Sequence, residues 1–173
     1  MNNELQVATV QFCHRANDKS YNLGIMERFI HQAAGEGTRI LAFPEMCITG
    51  YWHVIDLSAE EVGSLAEPID DSPSLARIAR LAQSYQMAIG VGLIERASDD
   101  RLYNTYVVCM PDGQRHIHRK LHAFEHPAID QGDSFTVFDT PWGVKVGVLI
   151  CWDNNLTENA RATALLGADI LLA

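Results

Sequence analysis

The sequence predicts an α/β fold with a mixed sheet and helices on the outside. Three observations predict it. Apolar runs of strand length, such as LQVATVQFC at 5–13 and VGVLIC at 146–151, are nearly continuous, which suits strands covered on both faces. They alternate along the chain with segments of helical period. Two further runs are joined by the turn Pro111-Asp112-Gly113, so a hairpin sits among parallel connections.

A buried strand is expected over 5–13. A helix follows over 21–34, with Leu23, Met26, Phe29, Ile30 and Ala33 on one face and Gly35 and Gly37 ending it. Residues 39–43 form a short strand stopped by Pro44, and 48–71 are irregular apart from a short helix around 58–65. Ser72-Pro73 opens the next helix, whose buried face is Leu75, Ile78, Ala79, Ala82 and Tyr85. Strands are expected over 87–95 and 102–110, with 114–119 pairing back as the hairpin's second arm. Residues 120–134 read as a loop, and strands over 135–139 and 143–150 flank the turn Pro141-Trp142-Gly143. A helix over 155–166 ends at Gly167, and a last strand occupies 168–173. The order is βαβ, αβ, hairpin, βαβ, in one sheet and one domain spanning 1–173.

The 173 residues suffice for one sizeable core, and 47% of them are hydrophobic, which excludes a disordered chain. The 22 acidic and 13 basic side chains leave a net charge of -9, which argues against a nucleic-acid footprint or an anionic membrane surface. Cys13, Cys47, Cys109 and Cys151 include no CxxC pair, so zinc-ribbon and thioredoxin readings fail, and a reduced, cytoplasmic protein is expected. The N-terminal segment MNNELQVATVQF has neither a basic leader nor a spanning apolar stretch. Asn155-Leu156-Thr157 matches a glycosylation sequon, a coincidence in that setting.

Chemistry concentrates at strand ends. Cys151 closes the apolar run at 146–151, and Asp153, Asn154 and Asn155 suit a helix start. A thiol there would feel the positive end of a helix dipole, which favours thiolate. The alternative is a small buried hydrophobe. Glu45 follows the strand at 39–43 among apolar neighbours, so desolvation should raise its pKa toward a general-base range; otherwise it is a solvated carboxylate. Lys120 follows 114–119 and could hold an oxyanion, and Glu125 could fix Lys120 or the substrate; alone, each reads as an ordinary surface residue. His116 and His118 share a strand face, and with His122 and His126 they raise a zinc alternative that no recognised spacing completes.

Three segments then carry a resemblance: FPEMCITGY around Glu45, HRKLH around Lys120 and ICWDNN around Cys151. In this order, each after a strand, they resemble the signature segments of the nitrilase (carbon-nitrogen hydrolase) superfamily, as do VATVQF and ENARATALLGADILLA. The resemblance implies an α-β-β-α sandwich and a triad of Glu45, Lys120 and Cys151, with Glu125 as a second, positioning glutamate. It implies no cofactor and no metal, small amide or nitrile substrates, and assembly as a homo-oligomer. Trp152 and Tyr51 are expected to line the substrate pocket. Trp152 resembles true nitrilases, whereas Asp153-Asn154-Asn155 looks closer to amidase or carbamoyl-hydrolase branches, so linear amides are the first expectation and nitriles the second. Family members are longer, so the resemblance implies their N-terminal portion with the C-terminal part missing, and an inactive fragment is the third reading.

Overall fold

The computed structural model describes residues 4–173. In chain order it contains β1 (Val7–Thr9), α1 (Lys19–Gly35), β2 (Ile40–Ala42), a 3₁₀ turn (Trp52–Asp56), α2 (Ala59–Leu65) and α3 (Pro73–Tyr85). Strands β3 (Ala88–Arg96), β4 (Leu102–Cys109), β5 (Arg115–Arg119), β6 (Ile129–Asp130), β7 (Thr136–Asp139) and β8 (Lys145–Val148) follow. A second 3₁₀ turn (Cys151–Asn155), α4 (Thr157–Leu165) and β9 (Ile170–Leu172) complete it.

Among the described residues the strands form two sheets rather than the single sheet expected from the element order. The first runs β1-β2-β3-β4-β5, parallel through β3 and antiparallel beyond it, with β6 added parallel to β4. The second runs β7-β8-β9. Period-two alternation explains the layering. Leu41, Ile89, Val107 and Cys109 face α1 and α3. Their neighbours Ile40, Ala88, Tyr106 and Val108 face the second sheet and meet Phe138, Val146, Val148 and Ile150 there. Helix α4 lies on the far side of that sheet, so close that a Cβ on Gly147 would stand 2.2 Å from Thr163 Cγ2. The result is a helix–sheet–sheet–helix sandwich.

Local signals set the helix starts. Asp18 accepts the Tyr21 N–H at 2.9 Å, Ser72 accepts the Leu75 N–H at 3.0 Å ahead of Pro73, and Ser58 forms a capping box with Glu61. Three expectations need correction. The strand at 5–13 is short and not buried: Val7 is 49% exposed, because β1 is an edge strand paired only with β2. The loop at 120–134 contains β6, too short to give a periodic signal. The helix after Cys151 starts at Thr157, behind the 3₁₀ turn. No helix among the described residues is long and apolar enough to cross a membrane.

Candidate active site

Glu45 stands on a turn just beyond β2. Its successor Met46 has φ 47°, and the turn presses on β3, where a Cβ at Gly92 would lie 2.3 Å from the Met46 nitrogen. The Tyr106 hydroxyl donates to the Phe43 carbonyl at 2.8 Å, and the Gly92 N–H to Cys47 Sγ at 3.4 Å, fixing the same turn.

Lys120 directly follows β5 and is wholly buried. Its Nζ donates to Glu45 Oε1 at 2.7 Å and to Glu125 Oε1, and lies 4.7 Å from the centre of the Phe124 ring. The other Glu125 oxygen accepts the Phe124 N–H at 3.1 Å, so the loop carries its own carboxylate onto the ammonium. Burial alone would lower the Lys120 pKa, but the bonds to Glu125 and Glu45 outweigh it and the pKa is raised. Burial raises the Glu45 carboxyl against the opposing pull of Lys120 and Asn104.

Cys151 follows β8 with φ 47°, on a sharp elbow. It shares a cleft of about 370 Å³ with Glu45, between the carboxyl ends of the two sheets. Burial, then the Glu45 charge, pushes its thiol up. The helix-dipole expectation is therefore overturned. A five-residue 3₁₀ turn, not an α-helix, starts at Cys151, and burial and then the Glu45 charge act on the thiol in the opposite direction.

Two 2.7–3.2 Å contact sets that sequence reasoning missed hold these groups together. Asp153, fully buried, accepts the N–H of Ile150 at 3.2 Å, of Leu121 at 3.2 Å and of His122 at 2.9 Å. Sequence patterning marked Asp153 only as a helix start. Asn104 of β4 donates from Nδ2 to Glu45 Oε1 at 2.7 Å, and its signal was a polar residue inside the apolar run LYNTYVVC.

Neither Tyr51 nor Trp152 lines the cleft that Glu45 shares with Cys151: Tyr51 packs against the cluster of Met46, Val54 and Ile94, and Trp152 lines a neighbouring pocket with His122 and Phe124. Burial, and then the charges of Glu45, Glu125 and Cys151, raise the Tyr51 phenol. Trp152 is half exposed and edge-on to Phe124, with centroids 5.8 Å apart. The histidines are engaged elsewhere. His116 stacks on Phe138 at 3.8 Å, and His118 meets Thr136 Oγ1 at 3.2 Å, with Nε2 3.7 Å from Asp153. His126 bonds the Leu57 carbonyl at 3.0 Å, while His122 lines the neighbouring pocket with Phe124 and Trp152. Among the described residues no three or more His, Cys, Asp or Glu side chains gather as a metal site.

Comparison with known proteins agrees with this architecture. A protein of Pseudomonas protegens named "Hydrolase in pqqF 5'region" is 38% identical over 97% of this chain and 58% of its own length. N-carbamoylputrescine amidase of Arabidopsis thaliana is 33% identical over 97% of this chain and 57% of its own. The crystal structure of Saccharomyces cerevisiae Nit3, a member of branch 10 of the nitrilase superfamily, superposes with a TM-score of 0.83 at 30% identity. That superposition covers 96% of this chain and 62% of Nit3. The chain thus spans about 60% of the length of the curated relatives it matches. The carbon-nitrogen hydrolase family model matches residues 6–173, and the chain belongs to that family.

Proposed function

We propose that this chain carries the reactive centre of a cofactor-free thiol hydrolase that cleaves a non-peptide C–N bond of a small linear amide. The observation that supports it most is Lys120 Nζ bound to both Glu45 and Glu125, with Glu45 sharing one cleft with the Cys151 thiol. The raised thiol is mostly protonated near neutral pH, so attack needs a base at hand, and Glu45 is that base.

Cys151 Sγ attacks the amide carbonyl carbon as its proton passes to Glu45. An ammonium has three N–H groups. Two of Lys120's are used by Glu45 and Glu125, and the third, with the Trp152 N–H, meets the developing oxyanion. The C–N bond then breaks, and the leaving nitrogen takes the proton from Glu45. Water attacks the thioester, gives its proton to Glu45, and the acid leaves as Cys151 recovers a proton. Glu125 keeps Lys120 in place. We place this chemistry in the cytoplasm, where the four free cysteines would stay reduced, and in a homo-oligomer.

The test is mass spectrometry of the chain after incubation with simple amides and nitriles, with ammonia release followed in parallel. An acyl adduct on Cys151 from amides supports the reading, and Cys151→Ala should form none. Turnover surviving in Cys151→Ala would overturn it, and adducts formed only from nitriles would move the substrate class to nitriles.

A further inference from the structure

Glu45 has two carboxylate oxygens, and both of its protein donors fall on one of them. Asn104 Nδ2 and Lys120 Nζ each reach Oε1 at 2.7 Å, which leaves Oε2 without a donor among the described residues. Asn104 grips both partners. Its side chain holds Glu45, and its backbone carbonyl accepts the Lys120 N–H at 2.9 Å.

Asn104 is also out of place on stability grounds. It is 1% exposed in the centre of β4, on the face it shares with Tyr106 and Val108. Asparagine is depleted in strands, and its Oδ1 finds no donor among the described residues. An unsatisfied buried acceptor is costly, and an apolar residue of similar shape would avoid that cost. The orientation is nonetheless forced, because a flipped amide would set Oδ1 against the carboxylate.

We propose that Asn104 is a positioning residue that commits Glu45 to Oε2 as its single proton-accepting oxygen, turned toward the Cys151 thiol. The proposal rests on Glu45 being the base. It also ties the residue to a pH effect, because the Asn104 bond favours the ionised carboxylate. The other groups facing Glu45 are Lys120, Glu125, the Cys151 thiol and the Tyr51 phenol.

The test needs no substrate. Alkylation of Cys151 by iodoacetamide is followed against pH by peptide mass spectrometry in wild type, Asn104→Leu, Asn104→Ser and Glu45→Gln. In wild type the rate should show an acid limb set by Glu45. Asn104→Leu should slow alkylation about tenfold and move that limb to higher pH, with an unchanged or higher melting temperature. Asn104→Ser, whose hydroxyl is too short to reach Glu45, should move it the same way and serves if the leucine variant does not fold. Glu45→Gln should remove the limb. A limb unmoved in both Asn104 variants but absent in Glu45→Gln overturns the role of Asn104 alone. A limb that survives Glu45→Gln overturns Glu45 as the base.

Discussion

The buried carboxylate of Asp153, two residues past Cys151, accepts the backbone N–H of His122, two residues past Lys120, at 2.9 Å. With the Leu121 and Ile150 N–H groups on the same side chain, it fastens the end of β5 in one sheet to the end of β8 in the other. Burial opposes its ionisation, but His118 and the three amides hold its carboxyl below the usual range. A depressed folded-state pKa gives stability that is full above the unfolded carboxylate value and lost as pH falls through the folded one. Asp153→Asn keeps the shape but brings an NH₂ against N–H donors. It should cost about 1–3 kcal/mol at neutral pH and flatten the acid side of the stability profile. Urea unfolding from pH 3 to 8 measures both, and an unchanged midpoint across that range would remove Asp153 from this role.

Lys120 is a buried cation between two carboxylates. Lys120→Met removes it and leaves Glu45 and Glu125 facing one another without compensation. A loss of about 3–5 kcal/mol is expected. Adding Glu125→Gln should restore part of it, so the double variant should melt above the single. Equal melting temperatures for the two would show that repulsion between the two uncompensated carboxylates contributes nothing.

Thiol reactivity should divide the cysteines. Cys13 and Cys151 are exposed, whereas burial pushes Cys47 to about 12 and Cys109 to about 11. Ellman's reagent at pH 8 should therefore titrate the two exposed thiols in the native protein and all four in denaturant. Cys151→Ala should remove one native thiol without loss of folding. Native reactivity of Cys47 or Cys109 would contradict the packing.

Leu165 and Leu166, at the end of α4, are 77% and 55% exposed, and Leu171 on the edge strand β9 is 38% exposed. Apolar surface of this kind favours association. Sedimentation velocity should show self-association of the chain, and Leu165→Glu with Leu166→Glu should shift it toward monomer. A wild-type monomer at high concentration would count against the homo-oligomer.

Patterning shows that Glu45, Lys120 and Cys151 each end a run of strand residues, and α/β folds bring strand ends together; their grouping as a triad comes from the family resemblance. The division into two sheets comes only from the family resemblance, which implies an α-β-β-α sandwich, and not from the pattern of apolar residues. Ile40 and Leu41 are equally apolar, yet one faces a sheet and the other a helix layer. A continuous run says that both faces are covered, not by what. Asn104 and Asp153 escaped for a related reason. Their meaning lies in partners 59 and 31 residues away, which no local pattern encodes. The dipole argument failed because it assumed a full α-helix where the chain makes one tight turn before α4.

Glu45 and Lys120 ride on one sheet and Cys151 on the other, so the layer of Ile40, Tyr106, Val146 and Val148 acts as a spacer that gauges the gap between carboxylate and thiol. Close-packed interiors are nearly incompressible and pass strain along instead of absorbing it. A misplacement of roughly 1 Å at reacting atoms can lower a rate by about a hundredfold. One methyl group added to or taken from that spacer would therefore register in the chemistry as well as in the melting temperature. The layer is a caliper set between two sheets, and its thickness should be felt at the sulfur.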